Sequence, residues 1–138
     1  EVGCGAGEIL AQLQKTSDPE TTFVGYEIAH DASAINQAKQ NENLRFLEED
    51  FLKSTTETFH LLLLIDVLEH VEDYIGFLRQ LRLRARQFVF HIPLELHVSS
   101  LVRVRPLLAV RESVGHLHYF TRETALATLV EARKLGTR

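Results

Sequence analysis

Apolar residues recur along this chain at two spacings, one helical and one strand-like, and the two alternate. Glu1-Val2 reads as the end of a strand, and residues 3–7 (GCGAG) form a glycine-rich turn. Ile9, Leu10 and Leu13 then mark one face of a short helix, which Asp18-Pro19 ends. Residues 22–28 (TFVGYEI) predict a second strand, residues 31–40 a second helix and residues 44–47 a short third strand. Residues 60–65 (HLLLLI) are almost wholly apolar, as expected of a strand buried on both faces of a parallel sheet. Val71, Tyr74, Ile75, Leu78 and Leu81 return to helical spacing, and residues 88–92 (FVFHI) predict a fifth strand closed by Pro93. Residues 94–118 are less regular, with Pro106 and Gly115 as breakers. Thr121 is placed to cap a last helix with Ala125, Leu126, Leu129 and Val130 as its apolar stripe.

Such alternation predicts an α/β fold: an open, mostly parallel sheet with helices on both faces. Its ligand site is expected beyond the carboxyl ends of the strands. With 138 residues, 45% of them hydrophobic, the chain has apolar material for one core and reads as a single domain. A 25% charged content and a net charge of -4 argue against disorder, and give no overall field to attract nucleic acid or an anionic membrane. The lone Cys4 cannot form an internal disulfide, so a reducing cytoplasmic setting is expected. No run approaches the ~18 apolar residues of a membrane span.

The chemistry concentrates at strand ends. Glycines in the first turn let backbone approach a ligand that side chains would block. Gly3 and Gly5 match a dinucleotide-binding turn, G-x-G-x-x-G, but its third position is Glu8. A carboxylate there would repel the pyrophosphate that such turns bind through free N–H groups. Glu27 lies twenty residues after Gly7, at the end of the second strand, where an acid can accept from both hydroxyls of a ribose. Asp50 follows the third strand and Asp66 the fourth. With Glu1, four carboxylates fall at the carboxyl ends of four successive strands. One alone would read as a helix cap or a solvated acid; four in register read as a site.

EVGCGAGE, FVGYEI, FLEEDFL and LLLLIDVLEHV, in that order, resemble the successive motifs of class I S-adenosylmethionine-dependent methyltransferases, which are Rossmann-like. The resemblance continues through GHLHYFTRETALATLVEA and covers nearly the whole chain. It implies S-adenosylmethionine as cofactor, with Glu1, Gly3, Cys4, Gly5 and Gly7 around its methionine part, Cys4 as a small packing residue of the turn. Glu27 would hold the ribose, Ile28 would lie against the adenine, Asp50 would accept from the adenine amino group with Phe51 nearby, and Asp66 would sit beside the methionine end. The family's last two strands have no counterpart before Arg138, so the domain is expected to be incomplete at both ends.

Methyl transfer is an in-line displacement in which a dedicated base is optional. His91, at the end of the fifth strand, and His118, beside the irregular segment, are the candidate bases, with His116 near the latter. Asp66, Glu69 and His70 form D-x-x-E-H, which looks like the metal-binding arrangement of some quinone and RNA methyltransferases. Capping of the following helix accounts for these residues as well, and no metal is expected. Arg79, Arg82, Arg84 and Arg86, and Arg103, Arg105 and Arg111, lack interleaved aromatic residues and read as solvated faces. The expected acceptor is a small molecule bearing an O, N or C nucleophile, covered by residues 94–118 as a lid. The alternatives are an RNA or protein acceptor, or a cofactor-binding domain without turnover.

Overall fold

The computed structural model describes residues 1–134, leaving 135–138 of the expected domain outside the described residues. Strand β1 (Phe23–Tyr26) pairs in parallel with β2 (Leu44–Leu47), and β3 (Phe59–Ile65) in parallel with β4 (Ala85–His91). Val2 bridges in parallel to Tyr26 on one side and Leu64 on the other. The result is one parallel sheet in the order β2, β1, Val2, β3, β4. This is the expected Rossmann-like arrangement.

Successive strand residues point to opposite faces, and two core clusters follow from that alternation. Leu62 and Leu64 join Val2, Tyr26, Phe51 and Leu81, which brings α3 (Phe51–Ser54) and α4 (Tyr74–Leu81) to one face. Leu63 and Ile65 join Cys4, Leu10, Leu44 and Phe46, which brings α1 (Glu8–Thr16) to the other. A third cluster of Leu68, Leu78 and Ala132 seats α7 (Arg122–Lys134) on α4.

Several elements depart from expectation. The second helix starts at His30, and its last turn tightens to a 3-10 helix, so that α2 (His30–Asn36) is followed by Gln37–Lys39. Strand β3 is buried only at residues 62–64; on the face of Leu63, Leu61 is 44% exposed and Val89 of β4 is 47% exposed. In α7 the buried positions are Ala125 and Ala132, with Leu129 half-buried between them, while Leu126 and Val130 face solvent. Leu129 and Ala132 make the contact with α4. Residues 94–118 contain α5 (Val98–Val102) and α6 (Arg105–Val114). Pro106 and Gly115 delimit α6 rather than breaking it: the proline lies in its first turn, and Gly115, at φ 79°, caps its end.

Gly7 is the tightest point of the first turn. Its φ is +78°, and a Cβ there would lie 2.5 Å from Cζ of Phe46 and 3.1 Å from Cβ of Asn36. Gly7→Ala combines left-handed strain with overpacking, and is expected to lower unfolding free energy by about 2–4 kcal/mol in urea denaturation. A loss below about 0.5 kcal/mol would mean that the turn rests more loosely on β2 than its geometry implies.

Candidate functional site

The parallel order places Glu1, Glu27, Asp66 and His91 at the carboxyl ends of four neighbouring sheet positions. Glu1 and Glu27 are buried. Oε2 of Glu27 accepts from the Gly5 N–H at 2.7 Å and Oε1 from the Ala29 N–H at 2.8 Å. Each oxygen has two acceptor sites, so one on each stays free. Burial, with the Glu27 charge beside it, pushes the Glu1 carboxyl up to about 7. A carboxylate pair of this kind favours a cation and repels phosphate.

The glycine turn is held from α2, through residues that sequence reasoning missed. Asn36, fully buried, donates to the Gly5 carbonyl at 2.9 Å, and Lys39 donates to the Ala6 carbonyl at 2.8 Å while pairing with Glu8. A buried asparagine next to the helical apolar face is the only signal that would have pointed there. At Gly5, with φ +50°, an added Cβ would meet nothing within 4 Å. The backbone here fronts open space that a ligand can enter.

Two residues of this region turn inward. The Cys4 side chain belongs to the core with Leu10 and Phe46, and burial pushes its thiol up to about 12, so it is an inert packing group. Phe51 is 2% exposed and packs edge-on to Tyr26, with ring centroids 4.9 Å apart; it supports the rim from below. Ile28, in contrast, is 76% exposed directly after Glu27. Asp50 caps α3 by accepting from the Leu52 N–H and pairs with Lys53 at 2.8 Å, which holds its carboxyl below the usual range.

Asp66 is the sole non-glycine residue with positive φ, 52°, among the described residues. Aspartate tolerates this conformation better than most residues, and outliers of this sort cluster at functional sites. Its Oδ1 lies 2.6 Å from Nδ1 of His91, joining the ends of β3 and β4. His118 does other work: its Nε2 donates to the carbonyls of Val71 and Glu72 at 3.0 and 3.2 Å, and its ring meets Tyr74 edge-on. The ring secures the loop before α4. Among the described residues, those lining the groove between α4, α7 and β4 include neither a carboxylate nor a histidine.

The family described as "Methyltransferase domain" matches residues 1–135. No curated protein matches the chain. Solved structures of similar fold include magnesium protoporphyrin IX methyltransferase from Synechocystis PCC 6803 with bound SAH, at 15% identity and TM-score 0.70, over 95% of this chain and 61% of that one. The plantazolicin methyltransferase BpumL, in complex with a triazolic desmethylPZN analog and SAH, matches at 18% identity and TM-score 0.70, over 99% of this chain and 55% of that one. An S-adenosylmethionine-dependent methyltransferase from Mesorhizobium loti matches at 18% identity and TM-score 0.65, over 95% and 70% respectively. The chain therefore spans 61% and 55% of the length of the first two. With its family match over almost every residue, the chain belongs to the methyltransferase-domain family.

Proposed function

We propose that this chain binds S-adenosylmethionine across the strand ends and transfers its methyl group to a small-molecule nucleophile in the cytoplasm. The observation that carries the reading is Glu27: a buried carboxylate, tied to the glycine turn, with one free acceptor site on each oxygen. That is the pattern a ribose diol requires. Open space at Gly5 and the acidic rim add room for a cationic methionine moiety. In this reading Glu1 receives the ammonium, Gly3, Gly5 and Gly7 supply the close backbone wall, and Ile28 faces the adenine. Asp50 accepts from the adenine amino group, and Asp66 borders the methionine end.

The bound cofactor supplies a methyl group already activated by positive sulfur. What remains for the protein is alignment, worth ~7–11 kcal/mol, and proton removal, worth ~10²–10⁴-fold. With Nδ1 of His91 donating to Asp66, its Nε2 keeps a lone pair. That nitrogen can take the proton from an acceptor O–H or N–H, and Asp66 stabilises the resulting imidazolium. Residues 94–118 serve as the lid: Val98, Leu101, Val102 and Leu108 are exposed apolar side chains that an acceptor would cover.

Three outcomes test this reading. Glu27→Ala removes two charge-assisted hydrogen bonds worth ~1.5–3 kcal/mol each, so calorimetry should show S-adenosylhomocysteine affinity falling roughly a hundredfold or more. The melting temperature should fall too, since Gly5 and Ala29 lose their acceptor; Asp50→Ala should weaken binding less. An unchanged affinity in Glu27→Ala would remove it from the site. Because Glu1 must be ionised to hold an ammonium group, affinity should be full above pH 7 and decline as pH falls through about 7. The same titration on Glu1→Gln should be flat there, and an equal decline in both proteins would place the titrating group elsewhere. Finally, replacing residues 96–110 by a short glycine bridge should abolish transfer of labelled methyl while cofactor binding largely survives. Retained transfer would mean the acceptor pocket is built from other residues.

A further inference from the structure

The peptide groups on the two sides of Gly5 are held by different parts of the chain. The one before it donates its N–H to Oε2 of Glu27 at 2.7 Å, and the one after it accepts at its carbonyl from Nδ2 of Asn36 at 2.9 Å. Glycine has no Cβ to restrict either torsion, and φ here is +50°, in the left-handed region. The conformation that opens Gly5 toward the ligand space is therefore fixed by these two bonds and not by the residue itself.

Asn36 has no exposed surface, and its surroundings determine which way its amide points. Nε2 of Gln37 donates to its Oδ1 at 3.4 Å, so the nitrogen faces the turn, where it also donates to Sγ of Cys4 at 3.8 Å. There is no slack around it: a Cβ on Gly7 would come within 3.1 Å of the Asn36 Cβ. The other end of α2 is tied to the carboxylate that holds Gly5, because Oε1 of Glu27 accepts from the Ala29 N–H just before His30. These bonds close a circuit: Glu27 to Gly5, Gly5 to Asn36, along α2 to Ala29, and back to Glu27. Opening it at Asn36 leaves Glu27 and the glycines in the chain but frees the torsions through which Gly5 holds the carboxylate.

We propose that Asn36 is a positioning residue for S-adenosylmethionine. Fully buried, it makes no contact with the ligand; it sets cofactor affinity by keeping Gly5, and through Gly5 the Glu27 carboxylate, in the arrangement that binds. The assignment rests on the cofactor reading given above. Its size follows from populations: a turn that is competent only about a tenth of the time raises the apparent Kd about tenfold, with no direct ligand contact removed. Glycine has the most backbone freedom to regain when an anchor is lost, so this is where such a loss acts most strongly.

The test is a double-mutant cycle read by calorimetric titration with S-adenosylhomocysteine. Asn36→Ala should raise the Kd about tenfold. Asn36→Leu, which refills the buried volume without the donor, should do the same, and it stands in if the alanine variant fails to fold. In the Glu27→Ala background either change should add less than about twofold, because the carboxylate being positioned is gone. Leu78→Ala, in the core shared by α4 and α7, controls for stability alone: the melting temperature should fall while the Kd stays at the parent value. A parent-like Kd in the folded Asn36 variants, a loss of the same size in the Glu27→Ala background, or an equal loss in Leu78→Ala would overturn the assignment and leave the cofactor reading intact. Absence of binding by the parent protein would overturn both.

Discussion

The structure depends on the backbone pairing of Val2. Its N–H donates to the Leu63 carbonyl at 3.0 Å, while the Glu1 carbonyl accepts from Tyr26 and the Gly3 N–H donates back to the Tyr26 carbonyl. Without these bonds β1–β2 and β3–β4 are two separate ribbons. With them the chain has one sheet, and every crossover returns in the same direction. Acids beside Val2 and just after β1 and β3 then reach a common rim, although residues 1, 27 and 66 are far apart in sequence. The glycine turn leaves from the centre of that rim, between the two halves.

Concentrating carboxylates in this way has a cost. Glu1 shows it directly, held up to about 7 by burial and by the charge of Glu27. Folding accepts that repulsion because the sheet and its two core layers supply the stability, and a cationic ligand relieves it. A phosphate would deepen it. The Asp66–His91 contact follows the same logic at smaller scale: a left-handed aspartate is maintained because its carboxylate gains a close imidazole across the strand ends.

Much of this was legible in the sequence. Apolar runs ending in acids are what parallel strands with a polar rim look like, so Glu1, Glu27 and Asp66 could be placed from spacing alone. Which way a side chain turns is not encoded by spacing. Cys4 lies in the turn yet faces the layer of Leu10 and Phe46, and Phe51 opens α3 yet packs under Tyr26. Asn36 and Lys39 hold turn carbonyls more than thirty residues away, a tertiary contact with no local signature. In residues 94–118 proline and glycine look alike as breakers, but one starts a helix and the other ends it. His118 and His116 are two residues apart and do different work, because one meets backbone carbonyls and the other two carboxylates.

The account's central claim is that this rim is built for a sulfonium nucleoside and against a dinucleotide. Parallel calorimetric titrations with S-adenosylhomocysteine and with NAD test it most directly, because both ligands present an adenosine ribose to Glu27 and differ in what lies beyond. The account predicts saturable one-to-one binding of S-adenosylhomocysteine and no measurable heat with NAD. Binding of NAD with no response to S-adenosylhomocysteine would contradict it.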